Sequence, residues 1–195
     1  MDNYQQFFSI SHQFEVSVKA LPKQSGIPSD HEFKINMPPS FKLASQMNHL
    51  EASALRPLRG LGENATELSE FLNLQSKKID LMMSYILTLD EGRQARFCGG
   101  SFGGSHLTYL SNEVIEQETL VELKLYIEEG NCAIYAIGQV IDCQQRNNQY
   151  TVNVKYVKID DEDQEQLVRT SLHVQTLQLK ERSEARRTTD ISPDC

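Results

Sequence analysis

The chain has no Cys-x-x-Cys pair: its four cysteines, Cys98, Cys132, Cys143 and Cys195, are scattered along 195 residues. That spacing argues against a disulfide framework and fits reduced thiols in a cytoplasmic protein. The five histidines (His12, His31, His49, His106 and His173) never stand four apart, so no metal constellation is present. "DDED", residues 160–163, lacks the glycine and the spacing of a calcium loop and reads as a helix start. No run approaches 18 apolar residues, which excludes a transmembrane helix. The first residues, "MDNYQQFFSISHQ", have neither a basic start nor an apolar stretch nor a small-residue cleavage site, so no secretory signal is expected. Positive charge is also scarce. The net charge is −8, which argues against nucleic acid and acidic membranes as partners while leaving room for a local basic pocket. Cys98 and His106 flank a flexible stretch, but no orienting carboxylate stands at a recognisable spacing, so thiol catalysis is not expected.

What is there alternates. Residues 12–21 place Phe14, Val16 and Val18 on one face of a half-buried strand. Four further strands are expected at 106–111, 119–127, 132–144 and 150–159, with Gly138 suiting a bulge. Their connections are short, so they form an antiparallel meander, and the strand at 12–21 can close it into a small barrel. Between the first strand and the rest lies helix. One helix runs from about Ser40, through Phe41, Leu43, Ala44, Met47 and Leu50, to Pro57 and Gly60. A second covers 64–90. Its apolar positions step alternately by three and four through Ala65, Leu68, Leu72, Gln75, Ile79, Met82, Ile86 and Leu89, a heptad seam with one glutamine. Phe71, Leu74, Leu81 and Tyr85 form a second stripe. One stripe can pack on the parent domain and the other on a second copy, giving a dimer or tetramer with a parallel bundle preferred. A last helix follows "DDED", with Leu167, Val168, Leu172 and Leu179 as its apolar side and a disordered tail after it. The stretch "FCGGSFGG", residues 97–104, is the remaining puzzle. A phosphate cradle, a degraded ligand loop and a plain turn all fit it.

The order from 97 to 180 resembles a PilZ domain, the bacterial cyclic di-GMP receptor module. The carrying stretches are "SFGGSHLTYLSNEVIEQETLVELKLYI", "AIGQVIDC" and "YTVNVKYVKIDDEDQEQLVR". The resemblance implies an α+β fold: a small antiparallel barrel whose first strand lies in 1–22, a helical insertion at 40–91, the rest of the barrel with its C-terminal helix at 93–187, and a tail at 188–195. It also implies a ligand site built from an RxxxR motif before the first strand and a (D/N)xSxxG motif on the barrel. No arginine precedes the first strand. The second motif falls on Ser101, Gly103 and His106, all departures. A shift of two residues restores Ser101 and Gly104 but puts Gly99 at the acid position. Arg93 and Arg96 are the arginines nearest the glycines. The resemblance therefore implies two alternatives. One is a non-enzymatic oligomeric adaptor that acts through protein partners in signalling, motility or pili, with no cofactor and little or no nucleotide binding. The other is a cyclic di-GMP receptor that uses arginines from unusual places, such as Arg93, Arg96, Arg169 or the Arg182–Arg187 cluster.

Overall fold

The computed structural model describes residues 9–47, 66–90, 96–129, 132–146 and 148–189. Six strands, β1 (Ser9–Ala20), β2 (Arg96–Gly103), β3 (His106–Ser111), β4 (Leu120–Ile127), β5 (Cys132–Arg146) and β6 (Gln149–Ile159), close into a barrel in the order β1-β2-β3-β6-β5-β4. Every pairing is antiparallel. The alternating apolar residues fill the interior. Val16, Phe102, Leu107, Tyr109, Val121, Leu123, Leu125, Ile134, Val152 and Val154 are all buried there. Closure gives every strand two neighbours: β1, for example, pairs with β2 over Ser9–Ser17 and with β4 over Glu15–Ala20, which shortens the exposed edges of an open sheet.

β5 departs from simple alternation, and the reason is visible. Ile134 and Ala136 point into the barrel, while Ala133, Tyr135 and Ile137 point outward and are buried as well. Helices α1 (Asp30–Asn36) and α2 (residues 39–47) cover that outer face. Phe33 and Phe41 pack on Tyr135, with ring centroids 5.3 and 6.3 Å apart. A strand buried on both faces reads as the near-continuous apolar run "CAIYAI". Gly138 sits at a register shift in the β5–β6 ladder, as its bulge chemistry suggested.

α1 was not expected from periodicity. Its start is fixed by a capping box in which the Ser29 side chain accepts from the Glu32 amide and the Glu32 carboxylate accepts from the Ser29 amide at 2.9 Å. Of the helix expected from Ser40 to Gly60, residues beyond 47 lie outside the described residues, as do Ala65, Arg93 and the tail from 190. α3 (Thr66–Asp90) and α4 (Asp161–Thr189) complete the chain, and α4 continues two residues into the segment expected to be a disordered tail.

The glycine stretch is a strand, not a loop. Phe97 and Phe102 both face the core although they stand an odd number of residues apart, and a register shift between Gly99 and Ser101 makes this possible. Gly99 lies under the Phe14 ring. A Cβ placed there would meet ring carbons at 2.3 Å. Gly99→Ala must therefore push a buried ring aside, and a loss of about 1–3 kcal/mol is expected. A lower urea midpoint at unchanged slope is the readout, and an unshifted midpoint would show that the ring yields freely.

Candidate functional site

The outer face of the β1-β2-β3-β6 wall carries a row of small polar residues. Ser11 pairs with Ser101, Ser101 with Thr108, and Thr108 with Asn153. The Ser101 and Thr108 hydroxyls share a hydrogen bond of 2.8 Å. One step along, His106 pairs with Lys155, and His106 Nδ1 lies 3.0 Å from the Ser105 hydroxyl. Partial burial lowers the His106 pKa, so its imidazole is neutral at neutral pH. The β2–β3 turn is held from outside. The Gln164 side chain donates to the Gly104 carbonyl at 2.8 Å, and Val168 fills the space a Gly104 Cβ would need, at 2.6 Å. Gly103 is buried at the end of β2. Ser101, Gly103, Gly104 and His106 thus share one end of the hairpin, where Lys155 of β6 stands beside His106 in register and Arg169 of α4 lines a cavity with Gly104 and Ser105. Thr108, Asn153 and Lys155 escaped the motif search, although the outward alternation of "YTVNVKY" held the signal for the last two.

Arg96 stands elsewhere. It opens β2, five residues from Ser101, which is roughly 17 Å along a strand. Its guanidinium contacts Glu15 and lies over the Tyr126 ring, 5.6 Å from the centroid. The adjoining cavity, of about 460 Å³, is lined by Cys98, Glu128 and Glu129 as well. An arginine committed to a carboxylate and an aromatic face, in acidic surroundings, is poorly placed to attract a phosphate. Among the described residues, no group of histidines, cysteines and carboxylates has metal-holding geometry.

A second surface is apolar. On α3 the seam residues Leu68, Leu72, Ile79, Met82 and Ile86 are exposed in the single chain, and Gln75 is half-buried. The second stripe is more open still, with Leu81 72 % and Tyr85 65 % exposed. Among the described residues both stripes stay largely exposed rather than packed on the parent domain, which corrects that expectation. Met83 and Leu87, on a third side of the helix, do so instead, against Phe33, Met37, Phe41 and Ala44. The Leu89 side chain lies outside the described set. No helix among the described residues is long and apolar enough to cross a membrane.

No protein-family model and no curated protein matches the sequence. Solved structures do match. One is a pathogenic protein from Xanthomonas campestris described as a new tetrameric PilZ domain self-assembled via an unusual helical bundle. It is 12 % identical, with a TM-score of 0.55, over 91 % of this chain and 93 % of that one. Another is the Bacillus subtilis inhibitor of motility MotI/DgrA, 13 % identical over 43 % of each chain, with a TM-score of 0.39. At such identities the likeness speaks to architecture, and the closed six-stranded barrel with its helix after the last strand shows that the chain has the fold of a PilZ domain.

Proposed function

We propose that the protein is an atypical PilZ-type adaptor of bacterial cyclic di-GMP signalling, non-enzymatic and oligomeric through α3, with weak or no nucleotide binding of its own. The observation that carries this reading is α3. A helix of 25 residues leaves two apolar stripes open to water in the single chain, an arrangement that soluble monomers rarely tolerate. The tetrameric assembly described for the Xanthomonas campestris protein supports it. The polar side of the reading rests on charge. The ligand is a dianion, the RxxxR motif is missing, and Arg96 is engaged by Glu15. Each guanidinium–phosphate bond lost removes about 1.5–3 kcal/mol. The cytoplasm is the compartment this role requires, and protein partners in signalling, motility or pili are its targets.

Light scattering on the full chain at micromolar concentration should give two or four times 22.2 kDa. Titration calorimetry with cyclic di-GMP should give no saturable heat. A dissociation constant below about 10 μM, roughly −7 kcal/mol, would replace the adaptor by a receptor. In that event Arg96→Ala discriminates between sites. Loss of binding places the ligand by the start of β2, and retention moves it to the His106–Lys155 end or to the arginines of α4.

A further inference from the structure

The outer side of α4 carries a pattern that the barrel uses only at one edge, where Val168 sits against Gly104 of the β2–β3 turn. Residues 161, 165, 168, 172, 175, 179, 182 and 186 recur in steps of three and four, so they line one side of the helix. The residues buried against the barrel, Asp163, Leu167, Thr170 and Val174, lie well round from it, and the buried Ser171 lies at its border. In chain order the stripe begins with two acids, Asp161 and Glu165, both exposed. Its middle is apolar, with Val168, Leu172 and Leu179 exposed by 42, 49 and 58 % around a half-buried Gln175. It ends in two exposed bases, Arg182 and Arg186.

The stripe complements its own reverse. If a second copy is laid antiparallel, with a two-fold axis between Leu172 and Gln175, Asp161 meets Arg186, Glu165 meets Arg182, Val168 meets Leu179, and Leu172 meets Gln175. Each contact then occurs twice, as an isologous interface requires. An acidic start and a basic end also suit the helix's own dipole. The dipole, however, asks only for charge in the terminal turns at any azimuth. It does not ask for both signs to share one line with the apolar residues, at mirrored spacing. From Lys180 to Arg186 every side chain is exposed, which leaves a partner helix room to lie there.

We propose that α4 is a second self-association surface, which pairs two copies of this chain antiparallel through this stripe. The pairing is separate from the α3 assembly and lies on a different helix. Its apolar centre is short, which places it among weak, transient interfaces.

The test uses the full chain carrying Ile79→Asp and Met82→Asp, so that α3 no longer contributes. A dilute measurement first shows whether those substitutions lower the mass, and that outcome judges the α3 reading alone. Sedimentation at about 200 μM, where weak interfaces register, should then show a monomer–dimer equilibrium. Arg182→Glu should weaken it about tenfold or more, since the dimer contains two Glu165–Arg182 pairs, and adding Glu165→Arg should restore it. In an otherwise unaltered chain with Cys98→Ser and Cys195→Ser, Leu172→Cys with Gln175→Cys should give a band at twice 22.2 kDa on a non-reducing gel. Glu184→Cys, on another side of the helix, should not. A monomer at every concentration, association insensitive to Arg182→Glu, or equal cross-linking of the two cysteine designs would overturn the proposal.

Discussion

Replacing Ile79 and Met82 by aspartate is expected to leave a monomer of 22.2 kDa at concentrations where the unaltered protein is expected to be a dimer or tetramer. Both residues stand on the α3 seam and both are exposed in the single chain, Ile79 by 42 % and Met82 by 60 %. Their further burial requires a surface beyond the described residues of this chain, and in the proposed assembly another copy supplies it. Each contributes about 1.5–3 kcal/mol when fully covered. A carboxylate at either place must be desolvated, at a cost of several kcal/mol, and symmetry repeats that cost in every subunit. The barrel should survive, because its core contains no α3 residue. Glu70→Gln, an exposed position away from the seam, controls for charge alone and should keep the oligomeric mass. Persistence of the oligomer in the double variant would mean that α3 does not hold it.

The other large effect concerns Asp163. This carboxyl is 2 % exposed at the start of α4, where it accepts a hydrogen bond from Ser45 of α2. Burial pushes its pKa up to about 7, and the neighbouring carboxylates of Asp160 and Glu162 add to the rise. Folding therefore favours the protonated form. From about pH 4, where the unfolded chain releases this proton, to about pH 7, the folded chain binds one proton more. Stability contributed by this group falls across that window and levels off above it. Three units correspond to about 4 kcal/mol at most. Asp163→Asn keeps the shape and an acceptor for Ser45 without the charge. It should be more stable than the unaltered protein at pH 8 by a few kcal/mol, with a flatter midpoint between pH 5 and 8. Parallel midpoint curves for the two proteins would show that Asp163 is not the group responsible.

The barrel was legible because alternation survives tertiary context. The strands expected at 106–111 and 150–159 match β3 and β6 to within a residue. Other features were hidden for identifiable reasons. The four glycines of "CGGSFGG" punctuate like a loop, yet Gly99 is what lets Phe14 reach the core and Gly104 is what lets Val168 dock. α1 is a single short amphipathic piece whose signal was its cap, Ser29 with Glu32, rather than its period. On α4 the spacing alone predicts Leu167, Val168, Leu172 and Leu179 as the apolar side. The inner face instead combines Leu167 and Val174 with Asp163, Thr170 and Ser171. The Ser171 hydroxyl donates to the Val168 carbonyl at 2.7 Å, so a small polar side chain can be buried with its hydrogen bond made inside the helix. A hydrophobicity pattern cannot distinguish that from a wet face. The polar row at Ser101 depended on register, which single-strand patterns do not contain.

The neighbours of β1 have a consequence for synthesis. Ser17 pairs with Arg96 and Ala20 with Val121, so the first strand made must wait for partners on the order of 80–100 residues later in the chain. At roughly 5–20 residues per second that is a delay of several seconds. During it the whole of α3 leaves the ribosome, since it precedes both β2 and β4. α3 is thus complete while the barrel it packs beside is still open, so that, in the proposed assembly, neighbouring nascent chains on one message would be able to meet through it before either has closed.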